Sequence, residues 1–424
     1  MRNLLEKGRE SDKPLDFANA LVTDTPTVKS LPLRLLIISH VTHYQRQDGI
    51  YAHGPYAREI EIWADMFEQV VIAAPCRDGV PETDTHRIDR PNVSVAPQKE
   101  VGGATLRAKL HALAMLPLLI ADLCREMRKA DAIHVRCPGN LGLLGALLAP
   151  LFSNRLIAKY AGQWAGYPRE ARTVRWQRQL LASKWWRGPV TVYGKFPDQP
   201  AHVVSFFTSV LTSDQLVRAR SYAVEKSLKA PLTVAYSGRL TPSKNVDTLL
   251  QALAALKSEG VHLNGLIIGT GPEDGSLRSL ADRLGIRDQI VFTGGVSAEQ
   301  VLSNLRKADV FVLAANTEGW GKAIIEAMAS GLVCIGGNLG MMPTFLAEGR
   351  GFTIPPRDVT ALTNTLRQIA SCPQAYETMR LSASEWAQQY SLENLRDALL
   401  DLMMKSWRLP SAQLSSQSAV EVVR

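Results

Sequence analysis

The sequence predicts an α/β fold built from two doubly wound domains in tandem. Short β-branched apolar runs alternate with amphipathic helical stretches along most of the 424 residues. That is how buried parallel strands joined by helices read. The alternation pauses once, at the polar, basic stretch 218–231 (RARSYAVEKSLKAP), and then begins again. A chain of this length exceeds one ordinary core and suits two.

The first series of runs is LRLLIISH (33–40), QVVIAAP (69–75), NVSVAP (92–97), AIHVRCP (132–138), RLIAKYAG (155–162), PVTVYG (189–194) and SVLTS (209–213). The second is LTVAYSG (232–238), GLIIGTG (265–271), QIVFTGG (289–295), DVFVLAA (309–315), LVCIGG (332–337) and FTIPP (352–356). Helices between them read clearly, as in NVDTLLQALAALKSEG, which Gly260 stops. These series place a first Rossmann-like domain at 31–217, a linker at 218–231 and a second such domain at 232–389. Residues 1–30 read as a disordered polar leader without the apolar core of a secretory signal, and 410–424 as a disordered tail.

Composition narrows the function classes. With 46% hydrophobic and 21% charged residues the chain is globular. The longest apolar run, 141–152, falls well short of the roughly 18–20 residues a membrane span requires. Five scattered cysteines form no Cys-x-x-Cys pair, which argues for a reducing compartment and against a disulfide framework or zinc site. The net charge of +8 favours an anionic partner. No groove-reading motif accompanies it, so nucleic acid is not expected.

Two domains of this kind face a cleft, and ligands bind beyond the carboxyl ends of the strands. The stretch TEGWGKAIIEAMASG (317–331) lies at such an end and holds Glu318 and Glu326 eight positions apart. Gly319, Trp320 and Gly321 form the turn between strand and helix, where free N–H groups suit phosphate or sugar oxygens. Glu326, deeper in the helix, can accept two hydrogen bonds from a vicinal diol such as a ribose. In SGRLTPSKN (237–245), Arg239 and Lys244 flank a short turn and suit a diphosphate. GTGPEDG (269–275) is a poor dinucleotide fingerprint, and its Gly271 is expected to shape the nucleotide site instead. A basic, Trp-bearing helix around RWQRQLLASKWWRG (175–188) offers Arg172, Arg175, Arg178, Lys184, Trp185 and Trp186 to an anionic membrane or an acceptor.

Together, ADVFVLAAN, the Glu-x7-Glu segment EGWGKAIIEAMASG, SGRLTPSK and IIGTGPE resemble glycosyltransferase family 4. The resemblance is strong from about 232 to 358 and fainter over the first domain. It implies the GT-B architecture, with the segment at 390–409 crossing back onto the first domain as a helix. It further implies a retaining, metal-independent hexosyltransferase without cofactor, using a nucleoside diphosphate sugar of UDP or GDP type. The acceptor would be a glycan or lipid-linked sugar of an envelope or exported polysaccharide. The expected location is the cytoplasm, with contact at the inner face of the plasma membrane allowed by the basic helix. Arg239 and Lys244 would neutralise the diphosphate, Glu326 would hold the ribose and Glu318 the sugar hydroxyls. Gly54, in AHGPYAREIEIW, would belong to the loop that closes over the diphosphate. Where relatives carry a histidine in the first domain this chain has AKYAGQW, and His134 lies one strand earlier. A nucleotide-sugar epimerase on the same fold and a non-catalytic nucleotide-sugar-binding protein are the alternatives. Product analysis and a Glu318→Gln variant separate them from a transferase.

Overall fold

The computed structural model describes residues 30–79, 85–100, 105–166 and 170–409. The leader expected at 1–30, Ser30 excepted, and the tail at 410–424 lie outside them.

The first domain is built on one large sheet. Its parallel core runs, side by side, through Val203–Ser205, Val190–Val192, Arg155–Tyr160, Ala132–Cys137, Leu31–Ile38, Phe67–Arg77 and Val93–Gln98. A small extension, His43–Arg46, Gly49–His53 and Thr85–Ile88, continues from Phe67–Arg77, and Gly49–His53 is antiparallel to both its neighbours. The sequence reading missed this hairpin. Its signal is Asp48-Gly49, a turn pair in which Gly49 takes a positive φ of 146°.

The second domain has six parallel strands. In spatial order they are Ile290–Gly294, Asn264–Ile268, Thr233–Ser237, Val310–Leu313, Val333–Gly337 and Gly351–Ile354. Thr233–Ser237, the first in the chain, sits beside the fourth, Val310–Leu313, so the strand order reverses between them. That reversal opens the crevice in which such sheets bind ligands. The helices cover the faces with apolar stripes. In Val246–Ser258, for example, Leu249, Leu250, Leu253 and Leu256 are buried.

Two expectations are corrected. Residues 209–213 form no strand. Ser209 Oγ donates to the Tyr390 carbonyl at 2.7 Å, and Leu392 N–H donates to the Leu211 carbonyl at 2.8 Å. The β-branched run is therefore tied to the end of the chain rather than to the sheet, and Val203–Ser205 supplies the strand. The linker expected at 218–231 is helical as far as Glu225, in a helix Ser213–Glu225 whose N-terminus is held by a Thr212–Gln215 capping box. Leu216, Ala219 and Ala223 form its buried stripe, which the basic residues around them concealed.

The last helix, Leu392–Trp407, returns to the first domain. It packs on the helix Gly54–Met66. Trp407 Nε1–H donates to the Leu156 carbonyl at 3.1 Å, and its ring meets Phe67 edge-on at 6.2 Å.

Candidate active site

The two loops at the strand-order reversal carry the predicted pair. After Thr233–Ser237 the chain passes Arg239 and makes a short turn at Pro242–Lys244. After Val310–Leu313 it reaches Glu318. Lys244 Nζ donates to Glu318 Oε2 at 2.7 Å. Asn245, buried and with a left-handed φ of 52°, clamps the two loops. Its side-chain amide donates to the Ala314 carbonyl at 2.7 Å and exchanges bonds with the Asn316 amide at 2.9 and 3.1 Å. Asn316 N–H also donates to the Ser243 carbonyl at 2.7 Å. The sequence reading missed Asn245, because only the fold brings the second loop to it.

Arg239 is exposed, and its side chain makes no ion pair among the described residues. Its carbonyl accepts from the Tyr236 hydroxyl at 3.1 Å, which holds the loop. Gly271 supports the same loop from below. A Cβ there would stand 2.2 Å from the Leu240 carbonyl oxygen, so only glycine lets Leu240 N–H reach the Thr270 carbonyl at 2.8 Å.

Gly321 caps the helix Lys322–Ala329 at a positive φ of 79°, and a Cβ on it would lie 2.2 Å from Met342 Cε. Gly319 faces the first domain, where a Cβ would come 3.1 Å from the Ala161 carbonyl oxygen. The Trp320 side chain does not face a ligand. It is 5% exposed and packs against Phe345, Tyr390 and Tyr193, with ring centroids at 4.8, 5.3 and 5.5 Å. Only its backbone remains for donor binding, since the indole joins the two domains. Glu326 sits one turn into the helix. Burial pushes its carboxyl up to about 7, against the opposing pull of Arg58 and Lys322. Gly54 opens the helix Gly54–Met66, with Pro55 behind it.

A second charged group was not foreseen. Arg136 and Lys159 are register partners on neighbouring strands of the first domain. Arg136 Nη1 donates to Glu59 Oε1 at 2.6 Å and Lys159 Nζ to Glu59 Oε2 at 2.7 Å. Lys159 also donates to Thr208 Oγ1 at 3.2 Å, and Arg136 stacks over Tyr56 at 4.8 Å. Burial alone would raise the Glu59 carboxyl, but Arg136 and Lys159 together hold it well below its usual range. Burial pulls the Lys159 ammonium down to about 7. The signal was present: AIHVRCP and RLIAKYAG are buried-strand runs that each contain a cation. His134 has no such place. It stacks on Trp63 at 4.5 Å, and burial lowers its imidazole to about 3.

The basic helix is Arg172–Ala182, shorter than expected. Arg178 is taken up by an ion pair with Glu170 at 2.7 Å. Trp186 lies beyond the helix and is 1% exposed, within the core of the first domain. The chain turns inward there to enter the strand Val190–Val192, which removes Trp186 from any membrane or acceptor surface. Arg172, Arg175, Lys184, Trp176 and Trp185 remain exposed.

Residues 219–386 match the family described as glycosyl transferases group 1. The match covers the second domain and its switch-point loops. A GDP-mannose-dependent alpha-(1-6)-phosphatidylinositol monomannoside mannosyltransferase of Mycolicibacterium smegmatis is 31% identical over 165 residues, 37% of this chain and 43% of the relative. A D-inositol 3-phosphate glycosyltransferase of Streptomyces avermitilis is 32% identical over 177 residues, 39% of this chain and 38% of the relative. The chain thus matches less than half the length of these curated relatives. Solved structures align over nearly the whole chain and show the fold to be that of GT-B glycosyltransferases. Sucrose-phosphate synthase from Thermosynechococcus elongatus gives a TM-score of 0.67 at 18% identity, over 88% of this chain and 99% of the other. HepE of Anabaena, solved with UDP and glucose, gives 0.64 at 16% identity, over 87% and 98%.

Proposed function

We propose that this protein is a retaining, metal-independent glycosyltransferase of family 4. It moves a hexose from a nucleoside diphosphate sugar to a glycan or lipid-linked acceptor of an envelope or exported polysaccharide. The observation that carries the reading is the Lys244–Glu318 contact at the switch point, with Arg239 exposed beside it. The matched family and the curated relatives named above support glycosyl transfer.

In this reading the diphosphate lies against Arg239 and Lys244, whose charges stabilise it as it departs. Glu326 accepts the ribose hydroxyls, and Glu318 holds hydroxyls of the hexose. The bond from the sugar's anomeric carbon to the diphosphate oxygen breaks. The acceptor hydroxyl oxygen bonds to that carbon on the same face, and its proton passes to the departing diphosphate. Exposed Trp176 and Trp185 beside Arg172, Arg175 and Lys184 support a peripheral contact with anionic membrane at its cytoplasmic face. Among the described residues no helix is long and apolar enough to cross a membrane.

Calorimetric titration with UDP, GDP, ADP and NAD, with and without magnesium, tests the reading. Binding of one nucleoside diphosphate that is indifferent to magnesium and lost in Arg239→Ala is the expected result. A preference for NAD, or binding to none of the four, would refute it.

A further inference from the structure

The charges beneath the cleft do not balance. Arg136, Lys159 and Lys322 act on one another, and with Arg58 they meet three carboxylates, Glu59, Glu326 and Glu318, so the described side chains leave one positive charge in surplus even before Glu318 is counted as bonded to Lys244. Arg136 and Lys159 share the single Glu59 carboxylate, at 2.6 and 2.7 Å. The Lys322 ammonium, at the first turn of Lys322–Ala329, has no hydrogen bond or ion pair among the described residues. Arg136 is the fifth of six residues in its strand and Lys159 the fifth of six in the next. Both therefore stand at the carboxyl-end edge, where such sheets receive ligands. Lys322 approaches from the second domain, three residues beyond Gly319. Arg136 and Lys159 are buried and Arg58 and Lys322 half-buried, and cations withdrawn from water are costly unless an anion meets them. Among the described residues only Glu59 of these carboxylates hydrogen-bonds to any of the four cations, and it is already shared by Arg136 and Lys159.

We propose that Arg136, Lys159 and Lys322 form a second anion subsite, separate from the diphosphate site at Arg239 and Lys244. It holds a carboxylate or phosphate group carried by the transferred sugar or by the acceptor. The inference rests on the glycosyl-transfer reading. Arg136 supplies the delocalised charge of a guanidinium held by Tyr56 and, through both terminal nitrogens, by Glu59, and Lys159 and Lys322 supply point charges from either side of the cleft. Closing the domains on such a group would bring together cations from both. The burial that lowers the Lys159 ammonium to about 7 would be offset by the arriving anion, which favours its charged form.

The test is calorimetric, on the full chain, with Lys159→Met and Lys322→Gln beside the wild type. Lys322 is half-buried at a helix start, so its replacement leaves the fold intact even where Lys159→Met does not. One arm compares UDP-glucose with UDP-glucuronate, or the GDP sugars if GDP is the nucleotide bound. The other titrates glucuronate and glucose 6-phosphate onto the protein saturated with that nucleoside diphosphate. Tighter binding of the uronate donor by tenfold or more places the anion on the transferred sugar. Binding of either free anion to the saturated protein places it on the acceptor. In both cases the preference should fall at least tenfold in Lys322→Gln, while affinity for the free nucleoside diphosphate, compared at pH 8 where loss of the Lys322 charge weighs least on the Glu326 carboxylate, changes less than threefold. The inference is overturned if neither arm prefers an anion, or if the variants lose the nucleoside diphosphate itself. Failure of every nucleotide to bind the wild type would instead strike the glycosyl-transfer reading beneath it.

Discussion

Lys244 and Glu318 lie 74 positions apart in the chain and meet at 2.7 Å across the point where the second sheet reverses its strand order. Each is about a fifth exposed, so the pair faces solvent in the cleft rather than the core. A partly exposed ion pair of this kind contributes only up to about 1 kcal/mol to stability. Its place is better explained by what the two charges do for a ligand than by what they do for the fold.

Glu318→Gln keeps shape and removes charge. Its expected effect is a fall in kcat of about 10²–10³-fold, the size seen when one preorganised electrostatic contact is lost from a site. Affinity for the nucleoside diphosphate should stay within a few-fold, read by titration beside steady-state rates. Full transfer activity in this variant would remove Glu318 from the proposed mechanism.

Glu326 sets a pH dependence. Burial raises its carboxyl to about 7 in the folded chain, above its unfolded value of 4.5. Its contribution to stability is then complete below about pH 4.5 and is lost as pH rises through about 7. Ribose hydroxyls need the charged form as acceptor, so nucleotide affinity should run the other way. It should be about tenfold weaker at pH 6 than at pH 8, from the fraction ionised. In Glu326→Gln the profile should be flat across that window. An unchanged slope in that variant would assign the titration to another group.

Trp320→Ala should act on stability. Its indole packs between Phe345, Tyr390 and Tyr193, and truncation there should cost about 3–5 kcal/mol. Chemical denaturation measures this directly. A variant as stable as the wild type but weak in donor binding would return the side chain to the ligand site.

Membrane contact is testable by sedimentation with vesicles. The full chain should bind vesicles containing phosphatidylglycerol, less so as salt rises. The triple change of Arg172, Arg175 and Lys184 to Ala should weaken that binding several-fold. Trp186→Phe should leave vesicle binding unchanged, because the ring is in the core. Equal binding by wild type and triple variant would locate any membrane surface elsewhere.

Much of this molecule was legible in its residues. Period and composition determined the parallel cores of two sheets, twelve of whose strands were read within a few residues of their places. The strand ends then placed Arg239, Lys244, Glu318 and Glu326 at one edge, because a strand's direction follows from the helix after it. What failed was local resemblance without a partner in view. The run 209–213 reads as a strand, yet its bonds go to Tyr390 and Leu392, about 180 residues away. Trp186 reads as part of a basic helix, yet the helix ends at Ala182 and the ring turns inward. The Glu59–Arg136–Lys159 group needed three segments to converge, and no window of sequence contains more than one of them. The sequence by itself determined which residues had to be strand, helix and cleft-edge, since those depend on periodicity along the chain. Only the tertiary structure decided which charges meet and which tryptophans are withdrawn from solvent, because Coulomb attraction and burial act through space between segments far apart in the chain.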